Sequence, residues 1–262
     1  MQALIRNRFL LYNLIRRDIS SRFVGSYAGL FWGLVHPAIL LVVYSTVFVF
    51  ILKVRLGPGV KQNFAEFLFC GLWAWIAFQE GILHSVNVVV GNPNLVKRMM
   101  FPVEVLIPAS VLSALFLQLL GFSLFFVYLL AFGKVPVTGV YRLLLVCVPL
   151  ILQILLTMGL GWILAALNVF IRDTAQMVAA LLTVWFFLTP IIYSVDVVPE
   201  GVRFLLDVNP WTHLVGMYRD VVFEGRIGLG WGTIYVCVLG VVVFIGGNHV
   251  FQKLKPEFAD AV

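Results

Sequence analysis

The chain has 262 residues, 62% hydrophobic and only 11% charged, with a mean hydropathy of +1.04. A soluble domain of this length needs far more polar surface, so composition excludes one and leaves an integral membrane protein with one membrane domain over 1–262. The net charge of +6 does not point to nucleic acid, because the basic residues form no extended stripe beside stacking aromatics. It suits membrane-proximal loops and anionic headgroups instead.

The N-terminal run "FLLYNLI" is short, is followed by Arg16-Arg17, and has no A-x-A site after it, so it does not read as a cleavable signal. Leu11, Ile15, Ile19 and Phe23 recur every four positions and share one helical face. Arg6, Arg8, Arg16, Arg17 and Arg22 surround it. Residues 1–23 therefore predict an amphipathic helix lying in the interface, the plainer alternative being a polar juxtamembrane tail.

Six apolar segments follow, at 28–52, 67–90, 105–132, 143–171, 174–195 and 227–252. Each is long enough for a ~30 Å hydrocarbon core at ~1.5 Å per residue. The expected fold class is an all-α integral membrane protein with six transmembrane helices and both termini on one side. With the N-terminus cytoplasmic, the inner segments hold Arg6, Arg8, Arg16, Arg17, Arg22, Lys97, Arg98, Arg172, Lys253 and Lys255. The outer ones hold Lys53, Arg55, Lys61, Lys134, Arg142, Arg203, Arg219 and Arg226. The balance is close, and the five arginines before the first helix decide for cytoplasmic termini.

The segment 91–104, "GNPNLVKRMMFPVE", is predicted cytoplasmic. Pro93 and Pro102 bracket a short helix carrying Lys97 and Arg98, a shape suited to docking a soluble partner or to a plain positive loop. "IRDTAQ" marks the next cytoplasmic turn, where Arg172 and Asp173 pair with each other or meet the same partner. On the outer side, 196–226 offers a piece between Pro199 and Pro210 and another from Trp211 to Phe223. Nine helical residues rise only ~13 Å, less than half the hydrocarbon core. Two such helices would dip into the outer leaflet and return, with Asp196, Glu200, Asp207, Arg219 and Asp220 at the wet rim, a funnel or gate. An ordinary amphipathic outer loop is the alternative.

Chemistry-bearing groups are few. Cys70, Cys147 and Cys237 fall in apolar segments without CxxC spacing, which reads as three buried thiols with no disulfide framework or zinc site. Gly133-Lys134 is followed by Val135 and lacks the upstream glycine spacing, so it is not a Walker A motif; a transport ATPase would have to be a partner. Glu80 and His84 share a face of the second span, an intramembrane ionisable pair. They support a competing reading as a proton- or ion-coupled secondary transporter. A membrane-embedded enzyme would need polar residues clustered at one depth, and none stands out. Gly25, Gly29 and Gly33 form a tandem G-x-x-x-G packing seam. Trp73, Trp75, Trp211 and Trp231 read as interfacial belt residues. Trp185, Phe186, Phe187 and Tyr193, which flank Pro190, either line a path for sugar rings or face lipid.

Taken in order, the arginine-rich helix ending in "RDISSRFVGSYAGLFWGLVHP", then "NPNLVKRMMFPVEVLIPAS", "LNVFIRDTAQ", "FFLTPIIYSVDVVP" and "NPWTHLVGMYRDVVFEG" resemble one family. It is that of membrane subunits of type-2 ABC exporters for polysaccharides, with the O-antigen permeases nearest and the teichoic-acid and capsule permeases related. The resemblance runs over nearly the whole chain.

It implies a homodimer of six-helix permeases in the bacterial cytoplasmic membrane, served by two copies of a separate ATP-binding subunit that would hold ATP and Mg. The implied substrate is a glycan on undecaprenyl diphosphate, and nothing in this chain would bind a cofactor or nucleic acid. It implies a coupling helix near Asn92, Leu95, Lys97, Arg98 and Phe101, with Arg172 and Asp173 beside it. Leu11 to Phe23 would be the interface helix. The outer pair, carrying Pro199, Glu200, Arg203, Asp207, Pro210, Trp211 and Arg219, would be re-entrant gate helices between the fifth and sixth spans. Trp185, Phe186, Phe187 and Tyr193 would line the glycan channel. Arg16, Arg17 and Arg22 are placed to attract the lipid diphosphate.

Overall fold

The computed structural model describes residues 6–23, 31–51, 63–97, 101–135 and 137–261. All regular structure among them is helical. In chain order the helices are α1 (Arg8–Phe23), α2 (Phe31–Ser45, continued by a π-helical turn Thr46–Ile51), α3 (Phe64–Val88), α4 (Pro93–Val96), α5 (Leu106–Ala131), α6 (Arg142–Leu145), α7 (Cys147–Phe170), α8 (Thr174–Leu188), α9 (Glu200–Val208), α10 (Pro210–Arg219, with a π turn Asp220–Glu224), α11 (Trp231–Leu254) and α12 (Phe258–Ala261). Arg98, Gly25 and Gly29 lie outside the described residues, so the helical G-x-x-x-G seam does too.

Among the described residues four stretches are long and apolar enough to cross a membrane: Phe64–Val88, Val103–Ala131, Gly139–Phe170 and Trp231–Glu257. The expected fifth span is shorter, and the expected first is described only over 31–51. α8 stops at Leu188, not at 195, and its 15 residues rise only ~22 Å. The cause is Pro190. The residue before a proline avoids the α region, and Thr189 is extended at φ −100°, ψ 136°. Thr189 then closes the helix end with its N–H on the Phe186 carbonyl and its hydroxyl on the Trp185 carbonyl. A second proline sets the start of α7. Pro149 has no N–H for the Leu145 carbonyl, and the helix is interrupted at Val146, between α6 and α7.

α5 runs antiparallel to α3, and α7 and α11 run parallel to each other; α3 packs on both α5 and α7, and α11 packs most extensively on α7. In a bilayer, helices associate by close packing rather than by the hydrophobic effect. Gly159 of α7 and Gly247 of α11 permit it: a Cβ on either would run into backbone of the other helix. Gly121 of α5 likewise leaves space for the Trp73 indole of α3.

Two apolar clusters mark the two ends. One gathers Leu14, Val89, Val96, Val103, Val105, Val169, Phe251 and Phe258, so α1 and α12 sit together at the end that holds Glu104. The other gathers Phe64, Trp75, Phe125, Trp211, Tyr218 and Val222 toward the end that holds Glu66.

Several side chains stand elsewhere than expected. The buried face of α1 centres on Leu14, with Leu11 and Ile15 only partly buried, because the helix lies against α5 rather than on lipid alone. Trp73, Trp75 and Trp211 are buried core, and of the four candidate belt tryptophans Trp231 alone is exposed. Trp75 and Trp211 pack edge-to-face with each other, and Phe78 and Trp185 complete the cluster. Edge-to-face aromatic pairs contribute ~0.5–1.5 kcal/mol beyond their buried area, so this cluster joins the helices from within. Cys70 is buried, whereas Cys147 is exposed in the first turn of α7.

Candidate functional site

The Glu104 end holds the residues expected to meet a partner. α3 finishes at Val88, and Asn92 starts α4 by accepting the N–H groups of Leu95 and Val96 on its carbonyl. Pro93 occupies the first helical position, where its missing N–H costs nothing. Val96 is the buried anchor of this single turn, while Lys97 points outward. Leu95 and Phe101 pack against the same apolar cluster from its edge.

The turn is tied to the bundle behind it. α12 rests on α4. Lys255 Nζ lies 2.6 Å from Glu104 Oε2, and the Trp162 indole N–H donates to the Glu104 carbonyl at 3.3 Å. Asn168, in the "LNVFIRDTAQ" run, donates from Nδ2 to the Val86 carbonyl and fixes α7 to α3. Arg172 and Asp173 are exposed in the turn that follows. Arg16 and Arg17 are exposed on α1, and Arg17 Nη2 lies 3.5 Å from Asn92 Oδ1. Arg22 belongs to the last turn of the same helix.

Between α1, α3 and α5 a polar crevice of about 370 Å³ opens at this end, lined by Asp18, His84, Asn87, Asn92 and Ser110. His84 reaches it, and Glu80 sits half-buried one turn earlier on α3. Among the described residues no cluster of three His, Cys, Asp or Glu is arranged to hold a metal.

At the Glu66 end the two short helices expected between the fifth and sixth spans are both present as α9 and α10. They pivot on Asn209, which is nearly fully buried. Its Oδ1 accepts from the Trp185 indole at 2.9 Å and from the Trp211 N–H at 3.0 Å. Its Nδ2 donates to Thr189 Oγ1 at 2.9 Å. One side chain therefore caps α10 and binds it to the broken end of α8. Pro210 at the first helical position completes that N-terminus.

Arg219, at the far end of α10, donates from Nη1 to the Pro190 carbonyl at 2.8 Å and from Nη2 to Ile191 and Phe67 at 3.0 and 3.3 Å. Its guanidinium lies 3.4 Å from the Phe67 ring centroid. Arg142, from α6, holds the following turn by donating to Val222 and Phe223. Beside it, partial burial pushes the Asp220 carboxyl above the usual carboxylate range, and Glu224 adds to the rise.

The other expected gate residues divide. Pro199, Glu200 and Asp207 are exposed, Arg203 and Pro210 are half-buried, and Trp211 is fully enclosed. Of the aromatic set, Phe186 is buried and Trp185 is turned into the core, whereas Phe187 is exposed and Tyr193 half-buried.

A buried polar network lies behind α10. Gln118 of α5 and Gln153 of α7 exchange two amide hydrogen bonds, at 3.1 and 2.8 Å. The Tyr218 hydroxyl of α10 donates to Gln153 Oε1 at 2.6 Å. Gln153 also reaches the Ala74 carbonyl, and the Trp73 indole donates to the Gln118 carbonyl. Sequence reasoning missed Asn209, Gln118, Gln153 and Arg142. Asn-Pro ahead of an apolar run is an N-cap signature and was legible; the two glutamines, 35 residues apart, gave no local sign of meeting.

The chain is 29% identical to an O-antigen export system permease protein, RfbA, of Myxococcus xanthus, over all of this chain and 98% of that protein. It is 26% identical to an O-antigen export system permease protein RfbA of Klebsiella pneumoniae, covering 96% of this chain and 94% of that one. It is 25% identical to the polysialic acid transport protein KpsM of Escherichia coli over 89% of each. Residues 10–223 match the ABC-2 type transporter family, and the chain belongs to that family.

Proposed function

We propose that this chain is the membrane-spanning permease subunit of an ATP-driven exporter that moves lipid-linked polysaccharide, O-antigen first among the candidates, across the cytoplasmic membrane. The observation that carries this reading is similarity to O-antigen export permeases over nearly the whole of both chains. In this reading the permease is a homodimer, α2 and α8 complete six crossings, and α9 and α10 re-enter the outer leaflet. The Glu104 end faces the cytoplasm.

ATP hydrolysis belongs to two separate subunits that carry the nucleotide and Mg. Their closure pushes on α4, through Asn92, Leu95, Lys97, Arg98 and Phe101, and on the turn at Arg172 and Asp173. Val96 rests against the cluster that contains Phe258, and the Glu104–Lys255 pair joins the start of α5 to the end of α11. A push on α4 is thus delivered to two long helices at once. The lipid diphosphate approaches Arg16, Arg17 and Arg22, which present guanidinium forks of the kind that bind phosphate bidentately. The glycan then passes along α8, where Phe187 and Tyr193 offer ring surface while Trp185 and Phe186 support them from inside.

Tagged purification in mild detergent tests this reading. An ATPase with a Walker A motif should copurify at one copy per permease. A chain that purifies alone and transports under an ion gradient would overturn the reading and bring Glu80 and His84 to the centre. Neutralising Arg16 and Arg17 together should lower export by up to about thirtyfold, because each basic contact near an anionic surface contributes ~1 kcal/mol, with membrane insertion unchanged by protease-accessibility mapping.

A further inference from the structure

Toward the Glu66 end, α2, α3 and α5 enclose a cavity of about 420 Å³ that the transport reading does not use. That volume falls within the ~300–1,000 Å³ typical of small-molecule sites. Its walls are apolar, made by Ala38, Leu41, Phe69, Trp73, Leu124 and Phe125, and among the described residues its one charged lining group is Glu66.

Glu66 is only 5% exposed, yet its carboxylate is loosely held. Oε2 accepts the Asn63 backbone N–H at 3.3 Å. Oε1 has Lys134 Nζ at 3.6 Å and the Tyr128 hydroxyl at 3.5 Å. Charge-assisted bonds to a carboxylate are ~2.7–2.9 Å long, so neither contact is a full one. The same chain provides the contrast: Glu104 and Lys255 close to 2.6 Å. Taking a carboxylate out of water costs several kcal/mol unless strong donors replace the lost hydration. Glu66 therefore faces an apolar cavity with room for a strong donor at Oε1. Lys134, still 43% exposed, stands beside it as a partly solvated cation.

We propose that this cavity binds one aminophospholipid from the leaflet at the Glu66 end. An acyl chain occupies the apolar walls, the primary ammonium replaces the long contacts to Glu66 Oε1, and the phosphate pairs with Lys134. The headgroup is zwitterionic because the site offers one charge of each sign. A primary amine is required because Oε1 needs N–H donors, which a quaternary choline lacks. The aromatics do not form a choline cage: Phe69 is stacked on Trp73 at 4.8 Å and on Phe125 at 4.3 Å, so the rings cover one another.

The test uses the full-length chain in nanodiscs of equal phosphatidylethanolamine, phosphatidylcholine and phosphatidylglycerol, with retained lipids counted by native mass spectrometry. One phosphatidylethanolamine per chain should survive, favoured about tenfold over the other two, a difference of 1.4 kcal/mol. Glu66→Gln keeps an acceptor for Asn63, as the capping box allows, and should bring phosphatidylethanolamine down to the phosphatidylcholine level. Leu124→Trp fills the cavity from its rim and should reduce retention of every lipid. Equal retention of the amine and choline lipids by the unaltered chain would overturn the proposal. So would a preference that survives Glu66→Gln, or retention indifferent to Leu124→Trp. Neither readout depends on transport.

Discussion

α9 and α10 are neighbours in one loop, with 9 and 10 residues, and are held in opposite ways. α10 has Trp211, Leu214, Val215 and Tyr218 completely enclosed, a shared polar network at its centre, Asn209 at its start and Arg219 at its end. α9 buries only Leu206 and leaves Phe204 and Val208 at 60% and 66% exposure. Its last carbonyls are held from outside, Asp207 by the His213 ring and Val208 by the Tyr235 hydroxyl. Its N-terminal half is held only by Arg203, which donates to Val198 and Asp196. Of two helices that look alike in sequence, one is part of the bundle and the other is hinged to it at one end. In the transport reading, α10 is therefore the fixed wall of the gate and α9 its movable leaf.

The largest effect that would test this contrast is at Arg219. Hydrogen bonds to charged groups contribute ~1.5–3 kcal/mol each, and a partly desolvated cation–π contact up to ~2. Desolvation of the guanidinium offsets much of that. Arg219→Ala should still cost about 3 kcal/mol, read as a clear fall in the melting temperature of the detergent-solubilised chain. Arg219→Lys should recover only part of it, because an ammonium cannot fork between the Pro190 and Phe67 carbonyls. A wild-type melting temperature for Arg219→Ala would break the contrast.

Gln153→Leu should come next, at about 2 kcal/mol. Interhelical side-chain hydrogen bonds in membranes average only ~0.6 kcal/mol, but this change does more than delete one bond. It deprives the Tyr218 hydroxyl and the Gln118 amide of a partner in a fully buried site, and an unsatisfied buried polar group costs ~1–3 kcal/mol. Tyr218→Phe should then cost less in this background than alone, since the hydroxyl has already lost its acceptor and keeps only the 3.2 Å bond that it accepts from Gln118 Nε2. The non-additivity, read from the two single variants and the double, checks that the three groups act as a unit.

These residues also mark what was and was not legible in the sequence. Helix existence was legible wherever apolar residues ran on without a break, as in α3, α5, α7 and α11. The short outer pair was legible because Pro199 and Pro210 punctuate it. The end of the fifth segment was misplaced because hydropathy continues through Ile191 and Ile192, whereas the backbone obeys the Thr189-Pro190 step. The tryptophans were misplaced for another reason. A membrane chain's Trp is interfacial or internal according to what neighbouring helices present, and Trp75 meets Phe78, Trp185 and Trp211 only after folding. The Gln118–Gln153 pair and the reach of Arg142 to Val222 span 35 and 80 residues, and no local pattern encodes a meeting at that distance.

The smallest expected stability effect is at Arg203, and it is the most diagnostic. Its two bonds go to carbonyls five and seven residues earlier, so they fasten α9 to its own approach segment and to nothing in the bundle. Local, half-exposed contacts of this kind usually contribute within ~0.5 kcal/mol. Arg203→Ala should therefore leave the melting temperature unchanged, while freeing the N-terminal half of α9 from the turn at Val195–Val197. If α9 is the movable leaf, export by the assembled transporter should change severalfold at constant stability, because a hinge has been altered rather than a wall. The same change placed on α10 lowers stability and export together. An Arg203→Ala chain that melts as early as Arg219→Ala would mean that α9 is braced as firmly as α10, and the division of the outer pair into wall and leaf would fall.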